Sequence, residues 1–69
     1  MTVARVREAK GLAEVMFFES ARIYRLLHHN PAYEVALKKL QAAVASGMPV
    51  RVRLTRPHGD EIERITPIP

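Results

Sequence analysis

Sixty-nine residues without a cysteine offer neither disulfides, thiolate zinc ligands nor a thiol nucleophile, and such a short chain buries only about 60% of its unfolded surface. Apolar residues at 48% and charged residues at 26% exclude a disordered chain. Eleven Lys and Arg against seven Asp and Glu leave a formal charge of +4, a surplus that suits an anionic partner such as nucleic acid.

The first thirty residues admit two readings. In the first they form three strands, about Val3 to Ala9, Ala13 to Glu19 and Arg22 to Leu27, with a turn at Lys10-Gly11 and a bend at Ser20-Ala21. Val15, Phe17, Phe18, Ile23 and Tyr24 are β-branched or aromatic and favour it. In the second, Leu12 to His28 is one helix with Leu12, Met16, Ile23 and Leu27 on one side. Glu19 and Ser20 intrude on that side while Phe18 points away, so strands are preferred.

A helix is expected from about Pro31 to Ser46. Asn30 is suited to cap it, and Pro31 to fill the first helical position, where no N–H is needed. Tyr33, Ala36, Leu37, Leu40, Ala43 and Val44 make one apolar stripe. Gly47 supplies a left-handed end, and Pro49 prevents resumption.

A hairpin should follow. Val50, Val52 and Leu54 alternate with Arg51, Arg53 and Thr55, and the turn chemistry of Arg56-Pro57-His58-Gly59-Asp60 leads to a return strand over 61–66. With Thr55 opposite Glu61, Arg53 meets Glu63 and Leu54 meets Ile62; Arg64 breaks the alternation between Ile62 and Ile65 and predicts a bulge or a strand edge nearby. Pro67 and Pro69 should end the sheet, with 67–69 frayed. The expected fold is α+β of order β-β-β-α-β-β: a small antiparallel sheet on one helix, with a barrel-like closure open as a variant. The alternative is two helices followed by a hairpin. Residues 1–69 read as one small domain.

Little here announces chemistry. His28 and His29 are neighbours and His58 sits in a turn, so no first shell for a metal is completed. Ser20 and Ser46 lack the setting of a nucleophile turn, and the scattered glycines cannot cradle phosphate. No catalytic residue, metal or cofactor is assigned, and the expectation is that the chain is not an enzyme. The longest strongly apolar run, Val15 to Phe18, falls far short of the ~20 residues of a membrane span, and no leader is apparent; a cytoplasmic protein without a membrane partner is expected.

Two functional readings follow. In the preferred one, the bulky run Val15-Met16-Phe17-Phe18 covers both faces of a strand. Met16 and Phe18 then form a second surface, and the chain is a small non-catalytic module that binds another protein or itself, as a homodimer does. In the other, Arg5, Arg7, Arg51 and Arg53 converge on a sheet face that contacts nucleic acid. The process served is not written in the sequence.

Overall fold

A computed structural model describes residues 1–68, in the order β1 (Val3–Ala9), β2 (Leu12–Phe17), β3 (Ser20–Leu27), α1 (Tyr33–Ser46), β4 (Val50–Leu54) and β5 (Ile62–Pro67). Of residues 67–69, expected to end the sheet and fray, Pro67 is instead the last paired residue of β5, opposite Val50, and Pro69 lies outside the described residues. The β-β-β-α-β-β order holds, and the alternative with a helix over 12–28 does not.

Pairing explains why that stretch is extended. β1, β2 and β3 form an antiparallel meander in which Val6, Val15 and Tyr24 lie side by side, while Arg5, Met16 and Ile23 lie side by side on the opposite face. Alternation then sorts β2, burying Ala13, Val15 and Phe17 and leaving Leu12, Glu14 and Met16 half-buried. A helix would have put these neighbours around one cylinder. Gly11 turns the chain between β1 and β2 at φ 82°, a conformation that any side chain would strain. The next turn falls at Phe18 and Glu19 rather than at Ser20-Ala21, because Phe17 pairs with Ser20 across a register shift. Phe18 N–H donates to Thr2 O at 3.0 Å, and the Glu19 carboxylate accepts from Thr2 N at 2.8 Å.

The helix starts at Tyr33, later than expected, without a side-chain cap. Asn30 does different work. Its Oδ1 accepts from Ala32 N at 2.8 Å, and its Nδ2 donates to Ile62 O at 3.2 Å and Glu63 O at 3.1 Å, tying the helix entry to β5. Tyr33, Ala36, Leu40 and Ala43 are buried as the stripe requires; Leu37 is half-buried, and Val44 is exposed at the stripe's margin. Gly47 ends the helix at φ 73°, its N–H donating to Ala43 O.

β4 and β5 form a separate antiparallel hairpin with Val52 opposite Ile65 and Leu54 opposite Ile62. The bulge falls between Arg53↔Arg64 and Leu54↔Ile62, so Glu63 is the extra residue, next to Arg64 where a bulge or edge was expected. The two sheets do not close into a barrel. They touch at two seams. At one, Met1 and Val50 exchange N–H···O bonds of 2.6 and 2.7 Å; at the other, Arg25 N donates to Asp60 O at 2.7 Å beside a parallel bridge to Glu61. Leu26, Leu40, Ile62, Ile65 and Val15 fill the space between sheets and helix. No helix is long and apolar enough to cross a membrane.

Candidate functional site

Each residue singled out in the sequence has a defined place, and they do not form one surface. Phe18 occupies the β2–β3 turn and is 75% exposed, whereas Met16 stands half-buried on the outer face of the meander between Arg5 and Ile23. The expected Met16–Phe18 face is therefore divided, because the turn begins two residues earlier than the strand reading assumed. Arg5 and Arg7 project from the outer face of β1; Arg51 and Arg53 project from β4, in the other sheet. Among the described residues, the segment leading into β1 bonds β4 only where Met1 meets Val50.

The arginines are also interleaved with carboxylates. Glu14 lies between Arg7 and Arg25 in register, and Arg53 Nε pairs with Glu63 Oε2 at 3.0 Å, the ion pair expected from the sequence. Both of its partners are largely exposed, so the pair is worth roughly 0–1 kcal/mol.

The most structured electrostatics lie at the seam between β3 and the 55–61 loop. Arg25 Nη2 bonds Asp60 Oδ1 at 3.0 Å beside the backbone bond that joins β3 to the 55–61 loop. The Arg25 hydrogen bond and charge hold the Asp60 carboxyl below its ordinary range, and Asp60 in return raises Arg25. Arg22 Nη2 reaches His58 O at 3.3 Å in the same loop. A polar cleft of 340 Å³ opens here, lined by Arg25, Thr55, Arg56, Gly59, Asp60 and Glu61. Arg25 and Asp60 are 35 positions apart, and no local pattern couples them.

The three histidines are dispersed in role. His28 packs against the Tyr33 ring at a centroid distance of 4.7 Å, His29 is exposed, and the His58 carbonyl accepts from Arg22. Among the described residues, no three His, Asp or Glu side chains gather as metal ligands would. A second recess, of 310 Å³, is almost wholly apolar and lies between Ala42, Ala43 and Ser46 of the helix, Met48 to Val50, and Pro67-Ile68.

No family model matches the chain, and no curated protein does. Two solved structures do match. The crystal structure of a pro-protein-glutaminase superposes on 99% of this chain with a TM-score of 0.87 and 24% sequence identity. A mutant of pro-protein-glutaminase covers the same share at 0.85 and 22%. The fold is shared. The chain spans about a quarter, 24%, of the length of each of those proteins.

This finding corrects the functional expectation. A non-catalytic module for protein binding or self-association, standing apart from any enzyme, is not what the fold points to. The same β-β-β-α-β-β arrangement occurs inside the precursor of an enzyme, and the answer that no enzyme is involved falls with it. The sequence held no sign of this. At 24% identity the shared feature is the packing of strands and helix, which very different residues can satisfy.

Proposed function

We propose that the chain is a domain of a protein-glutaminase-type enzyme precursor, serving the hydrolysis of glutamine side-chain amides in protein substrates. In that reaction water adds across the amide carbon–nitrogen bond, the side chain becomes a glutamate carboxylate and the nitrogen leaves as ammonia. One observation supports the reading above the others: the superposition takes in 99% of the chain rather than a single motif. As the counterpart of a quarter of a pro-enzyme, the domain packs against the remaining three quarters and sets the rate at which amides are hydrolysed.

The fold suits that duty. Two sheets joined to one helix by a continuous buried cluster, with seams closed at Met1–Val50 and Arg25–Asp60, form a preorganised body that loses little freedom on docking. The test deletes the matched quarter from a protein-glutaminase precursor, adds this chain in trans and follows ammonia release from a glutamine-rich protein. The expected result is co-elution of the two pieces and a rate change of about tenfold or more. Ammonia release by the chain alone would also support the reading. An unchanged rate with no co-elution and no release would overturn it.

A further inference from the structure

The cleft between β3 and the 55–61 loop holds opposite charges that do not meet. Its walls are Arg25, Thr55, Arg56, Gly59, Asp60 and Glu61, around 340 Å³. Arg25 and Asp60 satisfy each other at 3.0 Å. Arg56 and Glu61 are different: among the described residues, neither side chain has an ion-pair or hydrogen-bond partner. Glu61 is half-buried, and its charge reaches Arg25 only through space. A carboxylate partly withdrawn from water without a donor gives up hydration that nothing in the fold returns.

The backbone fixes the walls of the cleft. Thr55 N–H donates to Glu61 O at 3.1 Å and closes the base of the loop, while Gly59 N–H donates to Arg56 O at 3.1 Å and folds its tip. From the other side, Arg25 N–H bonds Asp60 O at 2.7 Å and Arg22 Nη2 bonds His58 O at 3.3 Å, pinning the loop against β3. Gly59 keeps its wall low, since a Cβ there would already stand 3.4 Å from Arg56 Cβ. All of these contacts lie within β3 and the loop.

The charges select the occupant. Arg25 and Arg56 balance Asp60 and Glu61, so a plain anion meets two carboxylates and a plain cation meets two guanidinium groups. A ligand carrying both signs avoids either repulsion. The volume sits at the low end of the ~300–1,000 Å³ of small-molecule sites, and the walls offer no apolar floor for a long hydrocarbon side chain. We propose that the cleft is a binding site for a zwitterionic α-amino acid with a short polar side chain. Its carboxylate takes the Arg56 guanidinium, its ammonium takes the Glu61 carboxylate, and the Thr55 hydroxyl is available to its side chain. The Arg25–Asp60 pair stays closed. The site rests on β3 and the loop and not on the likeness to the glutaminase precursor.

The probe is L-serine, titrated into the full 69-residue chain at about pH 6, where α-amino groups are charged, while backbone amide shifts are recorded. Saturable shifts in residues 55–61 are expected, with half-saturation at roughly millimolar concentration. N-acetylserine lacks the ammonium and serinamide lacks the carboxylate, and each should bind about tenfold more weakly. Two variants assign the ends. In Arg56→Gln serine should bind no better than serinamide, and in Glu61→Gln no better than N-acetylserine. Glu61→Gln keeps the backbone bond from Thr55, so it gives a second reading if the Arg56 variant disturbs the loop. No shifts up to on the order of 100 mM serine, equal binding of the three compounds, or serine binding that neither substitution alters would each overturn the proposal.

Discussion

The two sheets solve the same problem with different resources. The meander β1–β3 is joined by two-residue turns, and its strands pair with one another from Val3 to Leu27 with one register shift in each pair. The β4–β5 hairpin has a seven-residue connection and a register shift of its own, and it depends on bonds lent by other elements. Asn30 serves the carbonyls of Ile62 and Glu63, Lys39 Nζ serves Ile65 O at 3.3 Å, Arg25 holds Asp60, and Met1 holds Val50. A sheet closed by short local turns can organise with little loop entropy, whereas one assembled from contacts 26 to 49 positions apart needs the rest of the fold in place.

The largest test of that contrast asks whether the hairpin is an appendage. Leu26 in β3 and Ile62 in β5 are both completely buried. Leu26→Ala and Ile62→Ala should each cost roughly 2–5 kcal/mol in denaturant unfolding. Hydrogen exchange should show amide protection falling in both sheets for either variant. If Ile62→Ala left the meander fully protected, the two sheets would not be one cooperative unit.

Asn30→Ala comes next. It strips donors from two β5 carbonyls and should cost about 1–3 kcal/mol, with faster exchange in β5 before β2. The turns give a finer contrast. Gly11→Ala should cost about 1–2 kcal/mol because φ is positive there. Gly59 has no such φ, and a Cβ there would meet Arg56 at ordinary contact distances of 3.4 Å and beyond, so Gly59→Ala should be close to neutral.

Acid separates the seams. Asp60 has a folded pKa below its ordinary 3.8, lowered first by the Arg25 hydrogen bond. Its contribution is complete above the unfolded value and is lost as pH falls through the folded one, which places the loss below about pH 4. Glu19 behaves likewise through the Thr2 N–H, within the first sheet's turn. Asp60→Asn should flatten part of the acid limb of stability against pH and loosen the 55–61 loop, while Glu19→Gln should flatten its own part without affecting that loop. The smallest effect belongs to Arg53→Ala, which breaks an exposed ion pair and should change stability by less than about 1 kcal/mol.

What was legible in the sequence divides along the same line. Alternation in Arg51–Leu54, the Gly47 end and the Arg53–Glu63 pair are local patterns, and each appears in the structure. The strands of the meander were legible from Val15, Phe17, Ile23 and Tyr24, but only against a competing helix, because short apolar runs carry both periods. The seams were not legible. Nothing near Asn30 announces a partner at Ile62, and nothing near Asp60 announces Arg25. Function was missed for a related reason. It was sought in Met16 and Phe18 as a pair, and the two-residue shift of a turn placed them on different parts of the surface. The likeness to an enzyme precursor resides in three-dimensional packing, to which no short motif corresponds.

Val50 has Met1 on one side and Pro67 on the other. Two strand spacings of about 4.8 Å therefore separate the chain's entrance from its exit, roughly 10 Å. A module whose ends emerge together can be spliced into a loop of a host protein, or reopened elsewhere and joined head to tail, without unpicking its interior. The same proximity would let a larger polypeptide carry this unit as a side excursion, returning to nearly the point from which it left.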